Sequence, residues 1–159
     1  MSREKVKILL VDNVNTVEID VKNRLREMGY ELDAIALSVN EVFESIDQSP
    51  PDLVLMDIHL EEQKKGIKTA KEIQEQFDIP VIFLSGETNY DMLREAAAAD
   101  VYGFVSKPFD QADLFGSIEL ALYKHHKEQQ IFRGGAKNAG RSGEKKVKKE
   151  FIFVRADYK

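Results

Sequence analysis

Short apolar runs alternate with stretches of helical spacing along most of the chain. Val6 to Val11 reads as a first strand. Leu53-Val54-Leu55-Met56, bracketed by Asp52 and Asp57 and preceded by Pro50-Pro51, reads as a strand buried on both faces, because a brief unbroken apolar run bounded by turn residues suits the middle of a parallel sheet. Val81 to Leu84, opened by Pro80, and Val101 to Val105 follow the same logic. Leu32 to Leu37 is mixed and acidic, which predicts a strand nearer the sheet edge. Between these runs the period changes. Val17, Val21, Leu25 and Met28 predict a helix from Asn15 or Thr16 to about Met28, stopped by Gly29. Val42, Phe43 and Ile46 predict a short helix capped by Ser38 or Asn40. A polar loop from Ile58 to Gly66 precedes a helix with Ile67, Ala70, Ile73 and Phe77 on one face. Thr88 or Asn89 caps a fourth helix around Met92 to Ala99, whose Ala96–Ala99 run has high propensity but little apolar bulk and predicts a weakly anchored element. Asp110 caps a last helix with Leu114, Ile118, Ala121 and Leu122, running to about His125.

Five strands alternating with five helices predict an α/β fold, a doubly wound five-stranded parallel sheet with helices on both faces. In such a sheet ligands bind beyond the carboxyl ends of the strands. Four of the strands deliver a chemically useful residue there: Asp12, Asp57, Ser85 and, through Ser106-Lys107-Pro108, Lys107. Two carboxylates, a hydroxyl and an ammonium suit phosphoryl transfer, with acids for a nucleophile and a divalent cation and the other two for phosphoryl oxygens. No GxGxxG follows the first strand, which argues against a dinucleotide site.

Composition narrows the picture. The 159 residues are 43% hydrophobic and 32% charged, with no cysteine, which excludes disulfides and thiolate chemistry. No apolar run approaches a membrane span and Met1-Ser2-Arg3-Glu4-Lys5 leads into no secretory core, so a cytoplasmic protein without membrane association is expected. The net charge of −5 conceals an asymmetry: residues 1–123 carry 12 Lys and Arg against 24 Asp and Glu, whereas residues 124–159 carry 11 against 4. Residues 127–150, with Gly134-Gly135, Gly140, Gly143 and the Lys145–Lys149 cluster, read as a basic linker. Phe151-Ile152-Phe153-Val154 has high β propensity, and 151–159 reads as the start of a truncated output domain.

Taken together, Lys7-Ile8-Leu9-Leu10-Val11-Asp12-Asn13, Leu53-Val54-Leu55-Met56-Asp57, Leu84-Ser85-Gly86 and Val105-Ser106-Lys107-Pro108-Phe109 resemble the receiver domain of two-component response regulators, over residues 5 to about 125 and in the family's order. The resemblance implies a flavodoxin-like receiver over 1–126. It implies that Asp57 is the phosphoacceptor for a sensor histidine kinase, and that Asp12 with Asp57 helps bind Mg²⁺. A backbone carbonyl near His59 would assist in that. Ser85 and Lys107 would contact the phosphoryl group, and Pro108 would follow a cis peptide bond. Phe104 would be the switch aromatic, and His59 and Glu87 the positions that tune hydrolysis of the acyl phosphate. Asn13 stands where the family has a second acid; an amide carbonyl ligates without charge, so weaker Mg²⁺ binding and slower phosphorylation are expected. A signalling phosphoacceptor is implied rather than an enzyme, at most phosphorylating and dephosphorylating itself.

The fourth helix, fifth strand and fifth helix are the implied homodimer surface. The terminal segment resembles the opening strand of a LytTR-type domain, so DNA would be bound only through an output domain missing from this chain, with transcription as the output. The alternatives are a stand-alone receiver or kinase-docking module without DNA output, and a hydrolase of the haloacid-dehalogenase type. The latter normally has an acid two residues after its nucleophile, where this chain has His59.

Overall fold

The computed structural model describes residues 5–12, 15–58, 65–86 and 90–136. Ten elements alternate: β1 (Lys7–Val11), α1 (Asn15–Glu27), β2 (Glu31–Ala36), α2 (Val39–Gln48), β3 (Leu53–Asp57), α3 (Lys65–Phe77), β4 (Val81–Ser85), α4 (Tyr90–Ala98), β5 (Gly103–Ser106) and α5 (Gln111–Ala136). The strands are all parallel, in the order β2-β1-β3-β4-β5. The expected doubly wound sheet is therefore the observed one.

Apolar content decides strand position. Every residue of β3 and β4 is buried, and these strands lie inside the sheet, whereas β2 and β5 are half-buried edges. Alternation sends Leu9, Val11, Val54, Met56, Val81 and Phe83 to one face, where they form a core with Val42, Ile46, Ala70, Ile73, Met92 and Ala96 of α2, α3 and α4. Ile8, Leu10, Leu53, Leu55, Ile82 and Leu84 take the opposite face. A methyl on Gly103 of β5 would come within 3.1 Å of the Ser117 hydroxyl, which marks how closely α5 approaches the sheet. Val21 and Leu25 of α1 and Leu114, Ile118 and Ala121 of α5 are buried. In β2 the register slips by one residue, from Ile8↔Leu32 to Leu9↔Ala34, so Asp33 is an inserted bulge residue.

Helix ends follow their local chemistry. Ser38 caps α2: its Oγ accepts from the Glu41 N–H at 3.3 Å, while Glu41 Oε1 accepts from the Leu37 N–H at 3.0 Å. Asp110 caps α5 by accepting from the Asp113 N–H at 3.3 Å. Gly29, at φ +94°, ends α1, with the Tyr30 N–H reaching the Leu25 carbonyl and the Gly29 N–H the Arg26 carbonyl. Asp100, at φ +59°, plays the same part after α4 without a glycine. The expected caps of α4, Thr88 and Asn89, lie outside the described residues, as do residues 151–159.

Gln74 of α3 ties three backbone segments together. Its Nε2 donates to the carbonyls of Ala99 at 3.1 Å and Asp100 at 2.9 Å, and its Oε1 accepts from the Val81 N–H at 3.2 Å. Two orphan carbonyls at the end of α4 and the first N–H of β4 are thereby satisfied. Gln74→Ala is expected to cost about 1–2 kcal/mol, since it removes the amide from the partly buried Ala99 carbonyl and Val81 N–H. Urea denaturation would read this as a lower midpoint at unchanged slope, and an unchanged midpoint would show that water replaces the amide without loss.

Two compact units divide the chain, 1–121 and 122–159. Within the first, Tyr30 stacks on Phe115, with centroids 6.1 Å apart and planes 24° from parallel, and donates its hydroxyl to Glu119. Burial raises the phenol above its ordinary pKa, and the hydrogen bond and charge of Glu119 add to the shift. Tyr30 thus remains the donor across ordinary pH. Within the second, Lys127 lies over the Tyr123 ring at 5.8 Å and the Gln130 amide meets the His126 ring at 3.1 Å. Helix α5 continues to Ala136, past the expected end near His125 and through the first ten residues of the expected linker. Strong helix formers, Lys127, Glu128, Gln129 and Gln130, carry it on, and the Gly134-Gly135 pair falls in its closing turn. No helix among the described residues is long and apolar enough to cross a membrane.

Candidate functional site

The strand order reverses at β1, whose two neighbours are β2 and β3, so the crevice at the carboxyl edge lies there. Val11 pairs with Met56, which sets the next residues, Asp12 and Asp57, side by side at that edge. Asp57 in turn pairs with Leu84, and Ser85 with Ser106, which brings Ser85 and then Lys107 to the same edge. The backbone is pinned around them. The Asp12 N–H donates to Ala36 at 3.2 Å, the Ile58 N–H to Leu84 at 3.0 Å and the Lys107 N–H to Ser85 at 2.7 Å. The Lys107–Pro108 peptide is cis, as the resemblance implies.

Lys107 draws the two acids to one point. Its Nζ lies 2.8 Å from Asp12 Oδ2 and 3.5 Å from Asp57 Oδ2. Asp12 is fully buried and Asp57 nearly so. Two carboxylates this deep need a cation, because burying charge without one costs several kcal/mol. The shared ammonium supplies one positive charge between them. Ser85 is also fully buried, and its hydroxyl donates to the Met92 thioether at 3.8 Å. Four of the predicted residues therefore meet at one edge. Phe104, half-buried and paired with Phe83, packs against the core cluster. Asn13, His59 and Glu87 lie outside the described residues.

The donor set suits Mg²⁺. Hard carboxylate oxygens from Asp12 and Asp57 converge, and Mg²⁺ takes one or two carboxylates while keeping waters and phosphate oxygens as its other ligands. Among the described residues no group of three or more His, Cys, Asp or Glu is placed to hold a metal, so these supply two acids and no closed cage.

Beneath the site, α3 touches β3 through a glycine. A Cβ at Gly66 would stand 2.6 Å from the Asp57 carbonyl oxygen and 2.7 Å from that of Ile58. The sequence pattern places Gly66 at the end of a loop; it sits in the first turn of α3. Met92 is legible only as an apolar helix position, seven residues beyond Ser85, and nothing in its local sequence signals the hydroxyl contact.

An acid pair sharing one lysine at the switch point of a five-stranded parallel sheet defines a receiver architecture. The chain belongs to the response regulator receiver domain family, whose model matches residues 8–119. A transcriptional regulatory protein, PdtaR of Mycobacterium tuberculosis, is 31% identical over 116 residues, 73% of this chain and 56% of that protein. The N-terminal domain of a response regulator/sensory box/GGDEF three-domain protein from Carboxydothermus hydrogenoformans is 32% identical with a TM-score of 0.68, covering 76% of this chain and 97% of that one. The signal receiver domain of a modulated diguanylate cyclase from Desulfovibrio desulfuricans shares the fold at a TM-score of 0.72 and 23% identity, covering 79% of this chain and 99% of that one. The chain spans about half the length of the curated relatives it matches, 56% and 51%.

Proposed function

We propose that this chain is a phosphorylation switch in which Asp57 accepts a phosphoryl group from a partner histidine kinase in the presence of Mg²⁺. The observation that carries the reading is the single Lys107 ammonium shared by Asp12 and Asp57 at the carboxyl edge of the sheet. An Asp57 carboxylate oxygen attacks phosphorus, the bond to the donor imidazole nitrogen breaks, and that nitrogen leaves with the electron pair and takes up a proton. Mg²⁺, when bound, offsets charge on the phosphoryl oxygens. Lys107 stands within reach of the same oxygens and Ser85 is brought to the same edge; contacts made only after transfer shift an existing equilibrium. Phe104, half-buried against the core cluster, is the aromatic that responds, and Glu87 and His59 tune the lifetime of the acyl phosphate. Asn13 adds no charge, which slows the reaction without abolishing it.

The output leaves through the α4-β5-α5 face. Tyr90 of α4 and Leu120 of α5 are exposed, 80% and 58%, and large exposed apolar side chains on these two helices support pairing with a second copy. A transcription response is supported by the relative named as a transcriptional regulatory protein, and a cytoplasmic setting belongs to the same reading. DNA would be bound by a separate output domain, with residues 137–150 within its linker and 151–159 at its start.

Incubation with Mg²⁺ and acetyl phosphate should add one phosphoryl group by intact mass. Hydroxylamine should remove it, since an acyl phosphate is labile to that nucleophile. A folded protein that gains nothing, or a hydroxylamine-stable gain, would sink the reading.

A further inference from the structure

We infer that Met92 is a positioning residue for Ser85: its thioether is a resting acceptor of the hydroxyl that an Asp57 phosphoryl group would claim. Gln74 fixes the far end of α4, so the exchange frees that helix at its first turn only. The inference rests on Asp57 being the phosphoacceptor.

Ser85 has no exposed surface and Met92 almost none, so this hydroxyl is enclosed with the thioether as one of its acceptors at 3.8 Å. A thioether is a weak acceptor, whereas a phosphoryl oxygen carries charge and accepts about twice as strongly as a neutral group. The competition is therefore poised to reverse on phosphorylation, and its starting point is set by how well residue 92 accepts. Met92 lies in the first turn of α4, and the only other buried residue within that helix is Ala96. An alanine leaves little bulk to hold the helix, so contacts at its two ends matter most. At the far end Gln74 makes its three backbone hydrogen bonds, two of them to the carbonyls that close α4. At the near end the sulfur contact is an exchangeable one. Met92 also belongs to the core cluster against which Phe104 packs, so the first turn of α4 and that aromatic share one packed core.

The test uses the full chain labelled at its four methionine methyl groups. Acetyl phosphate with Mg²⁺ is expected to move the Met92 methyl resonance and leave that of Met28 in place. In Ser85→Ala the Met92 resonance should start displaced and respond little. Two substitutions then give opposite signs. Met92→Leu keeps the volume and removes the acceptor, and should lower the acetyl phosphate concentration for half-phosphorylation by about two- to fivefold. Met92→Gln supplies a stronger acceptor and should raise it. A purely packing role would move both variants in the same direction, and Met28→Leu should match the wild type. Phosphoryl gain by mass with an unmoved Met92 methyl overturns the inference and leaves the phosphoacceptor reading standing. No gain by mass overturns both.

Discussion

Asp57→Asn should take up no phosphoryl group from acetyl phosphate and should at the same time be more stable than the parent. The first effect is complete, because an amide is no nucleophile toward phosphorus at neutral pH. The second follows from the geometry of the cluster. Lys107 is closer to Asp12, at 2.8 Å, than to Asp57, at 3.5 Å, and both acids are buried. Removing the second charge leaves the tighter pair intact and relieves like-charge crowding, which should add about 1 kcal/mol in metal-free buffer. A higher urea midpoint at unchanged slope is the expected reading. A lower midpoint would mean that the 3.5 Å contact is a net stabilising pair and that the cluster is not strained toward function.

Gly66→Ala should destabilise the domain, against its helix propensity. Alanine in place of glycine within a helix favours folding by about 1 kcal/mol. Here the new methyl would stand 2.6 and 2.7 Å from two carbonyl oxygens. Both atoms are main chain at the end of a fully buried strand and cannot swing aside. Overpacking against main chain that cannot yield costs up to about 3 kcal/mol, so after the propensity gain a net loss of about 1–2 kcal/mol is expected. One of the two oxygens belongs to Asp57, so phosphoryl uptake should also slow. Thermal unfolding and the mass assay read the two effects separately. Unchanged stability would mean that α3 can step back from β3 at no cost.

The interior strands and their terminal acids were readable because burial on both faces leaves only apolar residues between Asp52 and Asp57 and leaves the acid no place except the strand end. The edges were less so. β2 and β5 begin and end one or two residues from their expected bounds, since half-buried strands tolerate polar residues and the pattern weakens. The bulge at Asp33 has no local signature. The site was legible as four residue types arriving on successive strands, yet their sharing of one ammonium is a distance, and no pattern along the chain encodes it. Gln74 was hidden for the same reason: a polar position on an amphipathic helix looks solvated until the end of α4 is placed beside it. Helix α5 outran its expected end because glycine near a helix terminus reads like a linker when viewed from sequence alone.

The slipped register at Asp33 bears on how the domain behaves at high concentration. An exposed sheet edge is a template on which further strands can assemble, and uninterrupted edges invite amyloid-like growth. β2 carries an inserted residue in its middle, an exposed glutamate at its start and an aspartate at the bulge itself. A strand arriving from another molecule would find a broken hydrogen-bond ladder and two negative charges. That flank of the sheet is thereby a poor template for growth, and association through β2 is disfavoured at the backbone itself.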